Sequence, residues 1–444
     1  MAWEKVLLRY FNGYVLFPVL EKLTKRKIKP KLDALRSFES LGLAEQKELQ
    51  KNAIYDLAVF CKENIPYYSQ LFLENSFDVE KLKVDINYIQ KLPILTKEII
   101  REKTGQLQFH GRGPLHVRKT GGSTGQSVFF YYDNEGLDWT SAINLFAYEM
   151  AGKKPHHTDC HISAELELGN PPFKYKMMDY IKLSSQNRKR LMISSFTDIE
   201  LEKKYRELKS RKPYLLQGHP SSLYAIASYV EKTKKKPVRL CTVFEPTGEM
   251  LTPKMVEVIE KYALCKVTNR YGNAEFGVIA HAAPKDHYSK LKVFQLAFYV
   301  EPCEQNNLIV TCLTNYGFPL LRYDTGDIGT VIEEGEQTFI KDIQGRIHDM
   351  VAINGDQYPS HYIMDFMDHQ VRGIREFQII LKDESKFPVL SIVLENKDDH
   401  QRVLKAVTDR WPTGLEIVFI EFDELVRLGW RQKFRHLIDL RTKK

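Results

Sequence analysis

The sequence predicts an α/β protein in two parts: a large N-terminal domain of mixed and parallel sheets with helices, residues 1–345, and a small hinged, mobile α+β domain, residues 346–444. Three observations lead there. From Asp138 to about Leu321 short apolar runs alternate with helical patterns: Leu215–Gln217, helix Ser221–Thr233, Leu240–Phe244, helix Thr252–Tyr262, Lys266–Asn269. Around Lys341–Arg346 the texture changes. A hairpin of Arg375–Leu381 and Val389–Leu394, a helix Asp399–Trp411 and a strand Leu415–Phe422 follow. Third, Lys119–Ser127 reads KTGGSTGQS between two β-prone runs, Leu115–Lys119 and Val128–Tyr132.

The first of the N-terminal elements is an amphipathic helix. Trp3, Val6, Leu7, Tyr10, Phe11, Tyr14 and Val15 recur at helical spacing, opposite Glu4, Lys5 and Arg9. Its apolar face suits docking on the protein itself, on a partner or on a membrane surface. Leu41–Asn64 reads as a second helix, stopped by Pro66. Asn64–Phe72 reads NIPYYSQLF. Leu92–Glu98 reads LPILTKE, with Thr96 as the N-cap of a helix.

With 444 residues there is chain enough for two or three full cores. A net charge of +8 is mild for this length. The basic runs Lys25–Lys31 and Lys232–Arg239 read as solvent faces rather than nucleic-acid interfaces. Six scattered cysteines, with no CxxC, point to a reducing, cytoplasmic setting and no disulfide framework. No run of 18 apolar residues exists, so no transmembrane segment is expected, and no signal-peptide pattern is seen. His156, His157, Asp159, Cys160 and His161 crowd together; a metal site and a strand edge with exposed histidines both fit.

Four further stations carry chemistry. Gly121, Gly122 and Gly125 permit close backbone approach, and Thr120, Ser123 and Thr124 add hydroxyls, which suits phosphate oxygens as well as an ordinary hairpin turn. The GxxxxGK[ST] spacing is missing. Arg270–Glu275, RYGNAE, places Glu275 after a strand and a glycine turn at Gly272; one carboxylate with substrate phosphates suits Mg2+. Arg322–Asp327, RYDTGD, offers Asp327 to a pair of ribose hydroxyls, or as a plain turn residue. Gly345–Asp349 supplies the fork of Arg346, and Lys433 a late positive charge.

The order of these stations resembles the adenylate-forming superfamily of acyl- and aryl-acid ligases. NIPYYSQLF and LPILTKE are similar to signatures of its phenylacetate–CoA ligase-like branch, which includes members from polysaccharide loci. The resemblance covers roughly residues 60–440. It implies that Thr120–Gly125 hold the ATP phosphates, that Gly248 and Glu249 line the adenine, and that Tyr271 and Gly272 lie against adenine and acid. It further implies Glu275 on Mg2+, Asp327 on the ribose with Arg346, and Lys433 between the carboxylate and the α-phosphate. Gly121 stands where the branch has Ser or Thr, Ser127 where it often has Pro, and Gln432 where Gly is typical. Its CxCGR is here Asp342–Arg346 without cysteine, so no zinc is expected. His348 occupies the hinge position, usually Asp or Lys.

The expected reaction is activation of a small carboxylic acid as acyl-adenylate, then transfer to a thiol, expected to be that of CoA; the resemblance also suggests a homodimer. Transfer to an amine or a carrier protein is the alternative, and a degenerate, non-catalytic binding homologue a third. Gln217, His219, Phe244 and Glu245 precede the adenine station as candidates for the acid pocket.

Overall fold

Local signals set the helix starts. Thr96 Oγ1 accepts the Ile99 N–H at 3.4 Å, Thr252 Oγ1 that of Met255 at 3.2 Å, and Asp133 Oδ1 that of Gly136 at 2.6 Å. Proline opens Pro66–Glu74, Pro220–Lys232 and Pro253–Ala263, where its missing N–H costs nothing. Pro66 thus does more than stop the helix before it, Leu43–Asn64; it begins the next. A computed structural model describes the chain except residues 1, 120–127, 165–171, 194–196, 284–287, 303–306, 347–349, 360–362, 364–365, 368–370, 429–432, 435 and 442–444.

By its internal contacts the chain divides into two compact units. The first comprises Met1–Thr158, Lys174–Arg188 and Thr268–Gly345; the second comprises Asp159–Phe173, Lys189–Val267 and Arg346–Lys444.

The first unit is built on a seven-stranded sheet. Its order is Phe298–Glu301, Asn307–Cys312, Tyr323–Glu334, Gln337–Arg346, Lys290–Val293, Gly277–Ala282, Arg270–Asn273. Its core runs from Leu57, Ile65 and Tyr68 through Phe130 and Ile143 to Phe294, Phe318 and Tyr323. In the basic run Lys25, Lys27 and Lys29 form the expected solvent face, but Arg26 and Lys31 depart from it. Arg26 pairs with Asp138, whose Oδ2 also accepts the Lys27 N–H at 2.8 Å, and Lys31 is buried beside Glu135. These side chains tie the N-terminal segment to the helix Asn134–Met150.

The second unit holds a five-stranded sheet in the order Arg188–Ile193, Asp159–Ala164, Leu215–Gly218, Val243–Pro246, Lys266–Val267. The last four pair in parallel, as the alternating pattern predicts. It also holds the expected hairpin, Ile374–Leu381 with Val389–Leu394, inside a four-stranded sheet backed by the helix His400–Arg410. The core there includes Val351, Phe377, Ile392, Val403 and Trp411.

Candidate active site

Two groups of predicted residues gather, one in each unit. In the first unit Arg270–Asn273 pairs with Gly277–Ala282, and the register slips between Tyr271 and Gly272. The glycine expected at a turn therefore sits inside a strand. A Cβ on Gly272 would lie 2.2 Å from the Gly277 carbonyl oxygen, so close backbone approach, not turn geometry, requires glycine here. Tyr271 is buried, and its hydroxyl donates to Asp327 Oδ2 at 2.8 Å. Burial, and then the Asp327 charge, push the Tyr271 phenol well up, which keeps it a neutral donor.

Asp327 lies within the strand Tyr323–Glu334, directly after Gly326, whose φ is +74°. Its N–H donates to Thr325 Oγ1 at 3.2 Å. Glu275 sits between the paired strands and is buried. Tyr323 donates to its Oε1 at 3.0 Å, and the Tyr132 hydroxyl donates to its main-chain carbonyl.

Sequence reasoning missed Lys97. Its Nζ lies 3.8 Å from Glu275 Oε1 and donates to the Thr325 carbonyl at 3.0 Å. The signal was present: Lys97 follows the N-cap Thr96 in LPILTKE. That segment is stitched to RYDTGD by Leu95 N–H to Arg322 O and Asp324 N–H to Leu95 O, both 2.9 Å. Arg322 has a structural part. It holds buried Glu301 through Nε at 2.9 and 3.0 Å and reaches the carbonyls of Gln90 and Leu92.

In the second unit the stations lie just past the carboxyl ends of parallel strands, where open α/β sheets present ligand sites. Thr247 N–H donates to the Gly218 carbonyl at 2.9 Å, and Gly248 turns the chain with φ +76°. Glu249 then buries its carboxylate. Oε2 accepts the Ser221 N–H at 3.3 Å, and Oε1 lies 3.2 Å from His219 Nδ1 and accepts the Phe434 N–H at 2.6 Å. Phe434 follows Lys433, and Lys433–Phe434 pairs antiparallel with Arg427–Leu428. The strand that carries Lys433 is thus fixed on the Glu249 turn. Burial pushes the Glu249 carboxyl up and the Arg427 guanidinium down to about 10; each charge moderates the other's shift. Of the acid-pocket candidates, Gln217, Phe244 and Glu245 are buried strand residues, with Gln217 Nε2 donating to Glu245 Oε1 at 2.9 Å, and His219 is part of the Glu249 group.

Thr120–Gly125, Ser127, His348 and Gln432 lie outside the described residues, as do the side chains of Arg346 and Lys433. Flanking the glycine loop, His116–Lys119 and Phe129–Tyr132 pair antiparallel with Lys119 opposite Phe129. The main chain of Arg346 ends the strand Gln337–Arg346. His156 stacks on Tyr10 at 4.2 Å, and His157 Nδ1 accepts the Lys154 N–H at 3.1 Å. Among the described residues no group of three or more His, Cys, Asp or Glu is arranged to hold a metal, and no helix is long and apolar enough to cross a membrane.

No family model matches the chain. It is 28% identical over 287 residues to Protein CapK of Staphylococcus aureus, a match spanning 63% of this chain and 62% of that one, less than two thirds of the relative. Its structure is similar to a 2-hydroxyisobutyryl-CoA ligase in the postadenylation state in complex with R3-HIB-AMP. The TM-score is 0.67 at 17% identity, over 89% of this chain and 90% of the other. It is also similar to that ligase with 2-HIB-AMP and CoA in the thioesterification state, with TM-score 0.56 and 19% identity over 90% and 91%. The anthranilate CoA ligase AuaEII in complex with anthranoyl-AMP matches with TM-score 0.50 and 13% identity over 73% and 65%. These agreements give the chain the fold of the adenylate-forming ligases.

Proposed function

We propose that this protein is an AMP-forming acid–thiol ligase of the phenylacetate–CoA ligase-like kind, with ATP and CoA as co-substrates. The observation that carries the reading is the Tyr271–Asp327 pair beside buried Glu275, in a fold shared with a CoA ligase whose structure holds an acyl-AMP. In this reading a carboxylate oxygen of the acid attacks the α-phosphorus of ATP, the bond to the β-phosphate oxygen breaks, and pyrophosphate leaves. The thiolate of CoA then attacks the acyl carbon and AMP departs.

Asp327, oriented by Tyr271, accepts from the ribose hydroxyls. In this reading Thr120–Gly125 supply hydrogen-bond donors and Lys433 a positive charge to the transferring phosphoryl group. A Mg2+ ion fits Glu275: Tyr323 occupies Oε1, and one carboxylate with substrate phosphates completes an oxygen set. When bound, that ion neutralises phosphate charge. Lys97, 3.8 Å from Glu275, positions the carboxylate. In this reading residues 346–444 act as the lid that excludes water from the mixed anhydride, hinged near His348.

The test is a panel of carboxylic acids with ATP, read first as pyrophosphate release and then, with CoA, as product mass. An acid that releases pyrophosphate and yields its CoA thioester supports the reading. Pyrophosphate release with an amide or a carrier-bound product moves the acceptor to an amine or a carrier protein. No release with any acid, and no thermal stabilisation by ATP, would leave a non-catalytic binding homologue.

A further inference from the structure

The amphipathic N-terminal segment does not bury its apolar face. The helix Ala2–Phe11 continues through a π-turn, Asn12–Leu16, into Phe17–Leu23. It is pinned around Gly13, and Phe17 packs against the core of the first unit. Gly13 is buried so tightly that a Cβ would lie 2.4 Å from the Pro155 carbonyl oxygen, and Tyr10 and Tyr14 bracket His156. The side chains away from this pin stand in solvent: Trp3 is 82% exposed, Leu7 67% and Phe11 51%. Exposed apolar side chains gathered on one segment mark an interaction surface.

A second helix repeats the pattern. Phe173–Ser185 buries only Ser185 and exposes Tyr175, Met177, Met178 and Tyr180. The two are neighbours. Asn187, two residues past this helix, donates through Nδ2 to the carbonyls of Arg9 and Pro155, each at 2.9 Å, and its Oδ1 accepts from Asn12 Nδ2 at 3.2 Å.

Charge identifies the occupant. Residues 1–31 carry eight basic and two acidic side chains, and residues 174–188 four basic and one acidic. These two short segments hold the whole positive excess of a chain whose net charge is +8. Some of it is used internally, as Arg26 and Lys31 show, but Lys5, Arg9, Lys22, Lys25, Lys174 and Lys182 are exposed among the apolar residues. A second copy of the chain would bring like charge against like. A surface that is apolar below and negative at its rim complements the patch, because aromatic and aliphatic groups enter the acyl boundary while lysines reach the headgroups.

We propose that Ala2–Leu23 and Phe173–Ser185 form a docking surface for an anionic phospholipid bilayer, holding the protein on the membrane surface without spanning it. The test uses the full chain and vesicles of phosphatidylcholine, with and without about a third phosphatidylglycerol. Flotation with the anionic vesicles alone is expected, lost at high salt. Trp3 should blue-shift on binding, and brominated lipid should quench wild type but spare Trp3→Phe. Binding should weaken about tenfold or more in Trp3→Glu/Leu7→Glu and in Tyr175→Glu/Met178→Glu. Both double variants change exposed positions, so melting temperature and ATP-dependent pyrophosphate exchange serve as controls for folding. Absence of flotation, equal binding to neutral vesicles, or binding untouched by both variants overturns the proposal. So does a dimer in solution that either variant dissociates, which would make the patch an interface between copies. A protein that binds vesicles but activates no acid would retain this surface and lose the ligase reading, so the two fail separately.

Discussion

Tyr271→Phe isolates one hydroxyl. The ring stays in its packed site, and what disappears is the 2.8 Å bond to Asp327 Oδ2. A hydrogen bond to a charged acceptor contributes roughly 1.5–3 kcal/mol. Asp327 is only partly buried, so water replaces part of the loss and the low end, about 1.5 kcal/mol, applies. For a folding unit of this size that corresponds to a drop of about 3–6 °C in melting temperature. If the bond also aims the Asp327 carboxylate at the ribose, ATP affinity falls by up to about tenfold, the equivalent of 1.4 kcal/mol. Calorimetric titration with ATP and with its 2′,3′-dideoxy analogue separates the effects, because only ATP can feel the carboxylate. Asp327→Ala should erase the difference between the two nucleotides, and the double variant should show coupling rather than additivity. An unchanged melting temperature in Tyr271→Phe, or equal weakening of both nucleotides, would refute the positioning role.

Three other outcomes follow from the same geometry. Lys433→Ala should lower acid-dependent pyrophosphate exchange by about 100- to 1000-fold, while thioester formation from supplied acyl-adenylate survives better; normal exchange would remove Lys433 from the first step. Gly272→Ala should cost roughly 3 kcal/mol in denaturant unfolding, since the hairpin must open to admit a Cβ 2.2 Å from the Gly277 oxygen; wild-type stability would mean that the strands do not approach so closely. Glu249 has its carboxyl raised by burial, so the folded state binds its proton more tightly than the unfolded chain does. The stability of wild type relative to Glu249→Gln should therefore be greatest at and below pH 4.5 and fall as pH rises above the ordinary carboxylate range. Paired denaturant titrations at pH 4.5 and 7.5 measure it, and an advantage that grew with pH would contradict the burial.

What was legible in the sequence was local. Thr96 and Thr252 announce their helices because a cap bonds to a backbone group three residues on, and Ile374–Leu381 with Val389–Leu394 pair across a short turn. The site stations were legible as types of residue in order, but not as partners. Tyr271 and Asp327 meet across 56 positions, Lys97 and Glu275 across a longer stretch still, and Glu249 meets the Phe434 N–H across 185. No periodicity reports such pairs, since they depend on how strands line up in the sheets. Gly272 shows a subtler gap. Its need for glycine was visible, but the cause is the neighbouring strand's carbonyl rather than its own torsion angles. Arg26 departs from the expected solvent face because charge alone does not reveal a partner such as Asp138 on a helix more than a hundred residues away.

The division into two units has a consequence for how the protein is made. The chain passes between them five times, at 158/159, 173/174, 188/189, 267/268 and 345/346. Neither unit is a continuous piece that a ribosome delivers whole. The seven-stranded sheet must wait for Gln337–Arg346, its fourth strand in spatial order, although its outer strand Arg270–Asn273 emerges some seventy residues earlier. The parallel sheet is complete by Val267, yet its unit waits for Arg346–Lys444. Apolar strand edges are therefore exposed for much of synthesis, and such distant pairings form slowly. Heterologous production should gain from slower translation, lower temperature and chaperone supply more than from trimming the chain at either end.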